Sequence, residues 1–178
     1  MHSAIGAGAA AVFMLGLMST GHAGPEQIAF PQGFEDNYVR YKTLDKRDQD
    51  PDVVRMLYVD PASAAYVQPE VPLPEGSRFL LVDYLAAVDN DGSTLVDRDG
   101  RMVPSESIKQ ILVSEKRGEF GGDHHGELQT GDWEFAAFLQ DGSRKPNVNF
   151  DKCRKCHLQA QRTDFTFSVY PNLDSIRR

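Results

Sequence analysis

The chain has 178 residues, 40% of them hydrophobic and 25% charged, which suits one domain with a core of its own. Asp and Glu number 26 against 19 Lys and Arg, a formal net charge of −7. Nucleic acid is therefore excluded as a partner, because contacts to a phosphate backbone need clustered cations, whereas a basic redox partner protein is compatible with the charge.

Residues 1–23 hold no Lys, Arg, Asp or Glu, and the run from Ala4 to Met18 is apolar. That run falls short of the roughly 20 residues needed to cross a bilayer, and Gly21-His22-Ala23 offers small residues around a cleavage point. Residues 1–23 read as a secretory signal peptide and residues 24–178 as one domain exported to the periplasm. The Met1-His2-Ser3 start lacks the usual basic residue, and an uncleaved anchor is the alternative reading.

The segments that follow predict a mainly β, α+β fold: an antiparallel sheet of about five strands with a few short helices. Tyr38 to Tyr41 is a short aromatic strand that should end in the charged turn Asp45 to Asp52. Val53 to Val59 concentrates β-branched and aromatic residues, and Asp60-Pro61 then supplies an N-cap and a first-turn proline for a helix to about Val67. The proline-rich stretch Pro69 to Pro74 is a connector. Phe79 to Val88 reads as a buried strand closed by the turn Asp89-Asn90-Asp91-Gly92, with Ile108 to Lys116 and Trp133 to Gln140 as two more strands. Gly118 to Gly131 is a loop containing His124 and His125, expected as a solvated pair. Asn149 or Asp151 should cap a C-terminal helix running to about Gln161, followed by an extended Phe165-Thr166-Phe167 tail.

Chemistry concentrates on that helix. Cys153-Arg154-Lys155-Cys156-His157 holds both cysteines of the chain in the C-x-x-C-H order of a c-type haem attachment site. In such a site each thiol adds across a haem vinyl group, and the adjacent imidazole reaches the iron from the same helical turn. The expected cofactor is one covalent haem c per chain, with Cys153 and Cys156 holding it and His157 as the axial metal ligand. A thioredoxin-like dithiol would sit early in a βαβ unit, and a zinc site would have to recruit His124 or His125 at an unusual spacing. The sixth iron position decides function. Met56 and Met102 are the methionine candidates, both expected to be packing residues, so the preferred expectation is an open face.

Several further segments match one family in order. They are Phe30-Pro31 with Gly33-Phe34, Tyr38 to Tyr41, Arg55 to Pro61, Pro74-Glu75-Gly76, Gly131 to Phe135, the haem motif, and Asp164 to Ser168. Together they resemble the cytochrome P-460 family across nearly all of residues 24–178. The resemblance implies a homodimeric antiparallel β protein with five-coordinate haem. It also implies two branches. One oxidises hydroxylamine and handles nitric oxide through a lysine joined to the haem; the other, cytochrome c-prime-beta, lacks that lysine and binds small gases such as NO and CO on an apolar face.

By that resemblance the cross-linking lysine falls at Leu81 or Val82, both apolar, and the distal carboxylate at Leu112. Glu115 lies nearby but alternation puts it on the other face. Arg55 matches the distal arginine; it shares a strand face with Val53, Leu57 and Val59 and needs a partner there, for which an anion, water, a propionate or Asp83 would serve. The alternative for Arg55 is an edge-strand side chain reaching into water. Phe34, Phe79 and Phe120 are candidate caps over the iron. The leading expectation is a periplasmic cytochrome binding small diatomic ligands. Its alternatives are a hydroxylamine- or NO-oxidising enzyme, with Lys109 or Lys116 as the cross-link, and a methionine-ligated electron carrier.

Overall fold

The computed structural model describes residues 24–68, 71–122, 125–167 and 169–176. The leader at 1–23, His124 and part of the proline-rich connector lie outside the described residues. Five antiparallel strands form one sheet in chain order: β1 (Val39–Lys46), β2 (Val53–Val59), β3 (Arg78–Ala86), β4 (Pro104–Lys116) and β5 (Trp133–Phe138). The mainly β expectation holds. Strand β1 runs through Asp45 rather than stopping at Tyr41, because Asp45 is held by Arg101 and by the backbone of Met102 from the opposite hairpin.

Four short α-helices lie among the described residues, beside short 3-10 turns: α1 (Phe34–Asn37), α2 (Pro61–Tyr66), α3 (Phe150–His157) and α4 (Leu173–Ile176). Asp60 caps α2 as expected, its carboxylate accepting from the Ser63 amide at 2.9 Å. Asn149 caps α3 by accepting from the Asp151 amide at 3.0 Å. No helix among the described residues is long and apolar enough to cross a membrane.

Both faces of the sheet are covered, and period-2 alternation sorts the side chains between two cores. One contains Val54, Met56, Tyr58, Leu80, Val82, Tyr84, Ile111 and Val113, covered by Phe34 and Phe120. The other contains Tyr41, Leu57, Val59, Phe79 and Trp133, packed by residues of the C-terminal segment such as Phe165, Val169 and Ile176. Helix α3 and the segment after it lie over this second face, which is the side on which the Cys-His motif meets the sheet. Between β3 and β4 the chain continues outward as a hairpin with two Asp-x-x-Gly turns, at Asp89–Gly92 and Asp97–Gly100. In each turn the aspartate accepts two backbone amides, and the glycine takes the positive φ that the turn requires.

Candidate haem site

Register builds the floor of a cavity of about 460 Å³ on the second face. Leu57 of β2, Leu81 of β3 and Leu112 of β4 are direct cross-strand neighbours and form one apolar row. Phe79, Ser114 and Phe135 form the next row toward one end, and Arg55, Asp83 and Gln110 form the row toward the other. Leu57, Leu81, Leu112, Phe79, Phe135 and Arg55 all line the cavity. Its opposite wall is α3 and the following segment, presenting Phe150, Cys153, Cys156, His157, Thr166 and Phe167.

The imidazole of His157 is fixed on three sides. Its Nδ1–H donates to the Phe165 carbonyl at 2.6 Å, so the other ring nitrogen, Nε2, carries the free lone pair. Phe135 and Phe167 pack against the ring with centroids at 4.7 and 5.4 Å. Burial pushes the imidazole pKa down, against a smaller opposing pull from the Phe165 carbonyl, and so favours the neutral, ligating form. The expected extended tail is corrected here: Asp164 and Phe165 both take left-handed φ, of 49° and 58°, and this turn swings the Phe165 carbonyl back onto His157. A hydrogen bond from Lys116 to the Asp164 carboxylate at 2.9 Å holds the turn against the sheet.

Over most of its length the sequence matches a known family: the family model for cytochrome P460 covers residues 31–168. The chain belongs to the cytochrome P460 family. Membership implies haem binding, and the cavity of this P460-family chain fits one. Its walls are mainly apolar, both thiols are free, and one half-buried histidine offers a pre-oriented nitrogen at the space. No curated protein matches the chain.

The structure brings together Arg55, Leu81, Leu112, Cys153, Cys156 and His157 around one cavity and leaves Val82 out of it. Val82 points the other way, fully buried in the opposite core between Met56 and Ile111. Of the candidate aromatic caps, only Phe79 is at the cavity; Phe34 and Phe120 belong to the opposite core. Met56 and Met102 lie in that opposite core too, and Met56 sulfur accepts from Tyr58 Oη at 3.4 Å and Arg40 Nη1 at 3.5 Å. Lys109 and Lys116 are committed elsewhere, to the carbonyl of Asp50 and to Leu73 and Asp164. Glu115 faces away from Leu112, as alternation requires, and pairs with Arg78 and Arg117.

Arg55 is not an edge-strand side chain. β2 runs between β1 and β3, and Arg55 makes a two-pronged ion pair with Asp83, Nε to Oδ1 at 2.7 Å and Nη2 to Oδ2 at 3.0 Å. Gln110 adds a third bond to the same carboxylate at 2.7 Å, and Lys145 donates to the Gln110 oxygen at 2.8 Å.

Reading the sequence alone missed the supports of the site. His125 is half-buried and paired rather than freely solvated: its Nε2 lies 2.7 Å from buried Glu134, which also accepts from Arg154 Nη2 at 2.6 Å. Arg154, one of the two variable residues of the C-x-x-C-H motif, thereby ties α3 to β5. Among the described residues no set of three or more His, Cys, Asp or Glu is placed to hold a metal ion. The aromatic residues around His157 had one visible signal, their place in the Trp133 to Phe135 and Phe165 to Phe167 segments, but nothing there said that they meet.

Proposed function

We propose that the protein is a periplasmic monohaem c-type cytochrome whose cavity binds small uncharged gases such as NO and CO. In this reading Cys153 and Cys156 would hold the haem through their thiols, His157 Nε2 would ligate its iron, and residues 1–23 would be the export signal. The haem, when bound, would supply an iron able to take up small ligands; the chain supplies the surroundings. Phe165 sets the tautomer and angle of His157, Phe135 and Phe167 keep water from the ring, and the sheet offers the opposite wall. A homodimer and a basic redox partner belong to the same proposal.

The observation that carries the reading is the Leu57, Leu81, Leu112 row. A wall of three leucines excludes ordered water and gives a bound neutral diatomic no proton acceptor, which suits reversible binding better than oxidation of a protic substrate. The hydroxylamine-oxidising alternative requires a lysine at the haem edge. The lysine lining the cavity is Lys152, which is solvent-exposed and precedes Cys153 on the attachment helix, away from the leucine wall. The methionine-ligated alternative loses both of its candidates, Met56 and Met102, to the far side of the sheet.

The test is spectroscopic. Haem-loaded protein from a host that matures c-type cytochromes should show a five-coordinate ferrous spectrum that shifts on adding CO or NO. Its denatured mass should equal residues 24–178 plus one haem, with the alkali pyridine spectrum of two thioethers. A six-coordinate spectrum indifferent to CO would end the gas-binding reading, and a haem-lysine cross-link with hydroxylamine turnover would replace it with the enzyme.

A further inference from the structure

We infer that Asp83 sets the ligand selectivity of the cavity: by pairing with Arg55 it cancels the charge facing the ligand space, so that the site discriminates against small anions. This inference rests on the proposed gas-binding role of the same cavity and deepens it.

The geometry separates two jobs that an unpaired arginine would combine. Among the described residues Arg55 is the one cation on the sheet wall that lines the cavity, and its side chain is 23% exposed, whereas Asp83 beside it is 1% exposed. The two residues are cross-strand neighbours and Gln110 is the next in line, so the three sit side by side over β2, β3 and β4. The Asp83 carboxylate accepts from Arg55 twice and from Gln110 once. Three donors in fixed positions leave that carboxylate no freedom to turn away, and Lys145 orients the Gln110 amide from the solvent side. Arg55 is held by its Nε and Nη2 edge, and Nη1 has no partner among the described residues.

A lone guanidinium beside a low-dielectric pocket would attract any small anion able to reach the iron. The buried carboxylate opposes that attraction with a charge of equal size, only one hydrogen bond further from the ligand. What remains is a dipolar N–H donor, useful to a neutral ligand that acquires partial negative charge when bound, and of little use to a full anion. Asp83 is therefore a positioning and selectivity residue that acts through Arg55. The mostly aliphatic remainder of the sheet wall provides no other charge to override it.

The test uses azide as the anion on ferric haem-loaded protein and CO as the neutral ligand on the ferrous form. Wild type, Asp83→Asn, Arg55→Met and the double variant are compared by spectroscopic titration. Asp83→Asn should tighten azide by on the order of tenfold while moving CO affinity by less than about threefold. It should also raise the haem midpoint potential, because a buried negative charge that favours the ferric state is gone. Arg55→Met leaves Asp83 uncompensated and should weaken azide, and the double variant should return toward wild type. Arg55→Met provides the reading if Asp83→Asn fails to load haem. Azide affinity that is unchanged or weaker in Asp83→Asn, or azide binding to none of the four proteins, overturns the inference. Failure of wild type to bind CO overturns the gas-binding role instead, and the azide series and the potential still read the charge on the cavity wall.

Discussion

The carbonyl oxygen of Phe165 accepts the Nδ1–H of His157 at 2.6 Å, and the ring of the same Phe165 rests over Gly131. A Cβ at Gly131 would lie 2.8 Å from Phe165 Cε2, and the backbone there has a φ of +59°. One glycine on the approach to β5 thus determines how closely the turn that orients His157 can approach the sheet.

Gly131→Ala should therefore cost about 1–3 kcal/mol, from the left-handed backbone and the displaced ring together. Denaturant unfolding of the haem-loaded protein measures the loss. The iron–histidine stretching band in the ferrous Raman spectrum should move in the same variant, because the Phe165 carbonyl shifts with its ring. An unchanged band would mean that the carbonyl keeps its place independently of Gly131.

Arg154 and Glu134 form a nearly fully buried ion pair, with side chains 5% and 2% exposed. Arg154→Ala strands a buried carboxylate that still accepts from the Phe135 amide but loses its main counter-charge, an expected loss of about 3–5 kcal/mol. Since the pair joins α3 to β5, haem incorporation in the maturing host should fall with stability. Full haem loading and an unaltered melting temperature would contradict this.

Neighbouring lysine substitutions on β3 should behave differently. Leu81→Lys places its ammonium at the cavity, where the long stem can reach toward the rim, and the protein should fold and load haem with altered ligand affinity. Val82→Lys puts a charge into the core between Met56 and Ile111, with an expected penalty of several kcal/mol and failure to accumulate as soluble protein. Comparable expression of the two would refute the facing assigned to this strand.

On the opposite side of the sheet, Tyr84 Oη donates to Glu35 at 2.6 Å. Burial first, then this bond to Glu35, pushes the phenol far above its ordinary value, and burial also raises Tyr58. Both phenols ionise more readily in the unfolded chain. Their contribution to stability is thus complete below the ordinary tyrosine pKa of about 10 and is lost as pH rises above it. Alkaline unfolding followed by circular dichroism should be steeper for wild type than for Tyr84→Phe between about pH 10 and 12. Equal slopes would argue against a buried, hydrogen-bonded phenol.

Taken alone, the sequence determined what is local in chemistry or period. Cys153, Cys156 and His157 are legible because the C-x-x-C-H pattern is contiguous in the chain. The face shared by Arg55 and Leu57 is legible because a strand alternates, and Asp60-Pro61 because capping is settled within one turn. Tertiary structure decided what depends on register between strands and on where a loop returns. Leu81 and Val82 are adjacent and equally apolar, and only their pairing with Leu112 or with Ile111 assigns one to the cavity and the other to the far core. Asp83 becomes the partner of Arg55 because β2 and β3 align them across 28 residues of chain. Phe165 reaches His157 through two left-handed residues that a run reading Asp-Phe-Thr-Phe does not announce. A side chain's direction follows from its own strand, but its partner follows from the alignment of another, and that alignment is fixed by packing over the whole sheet.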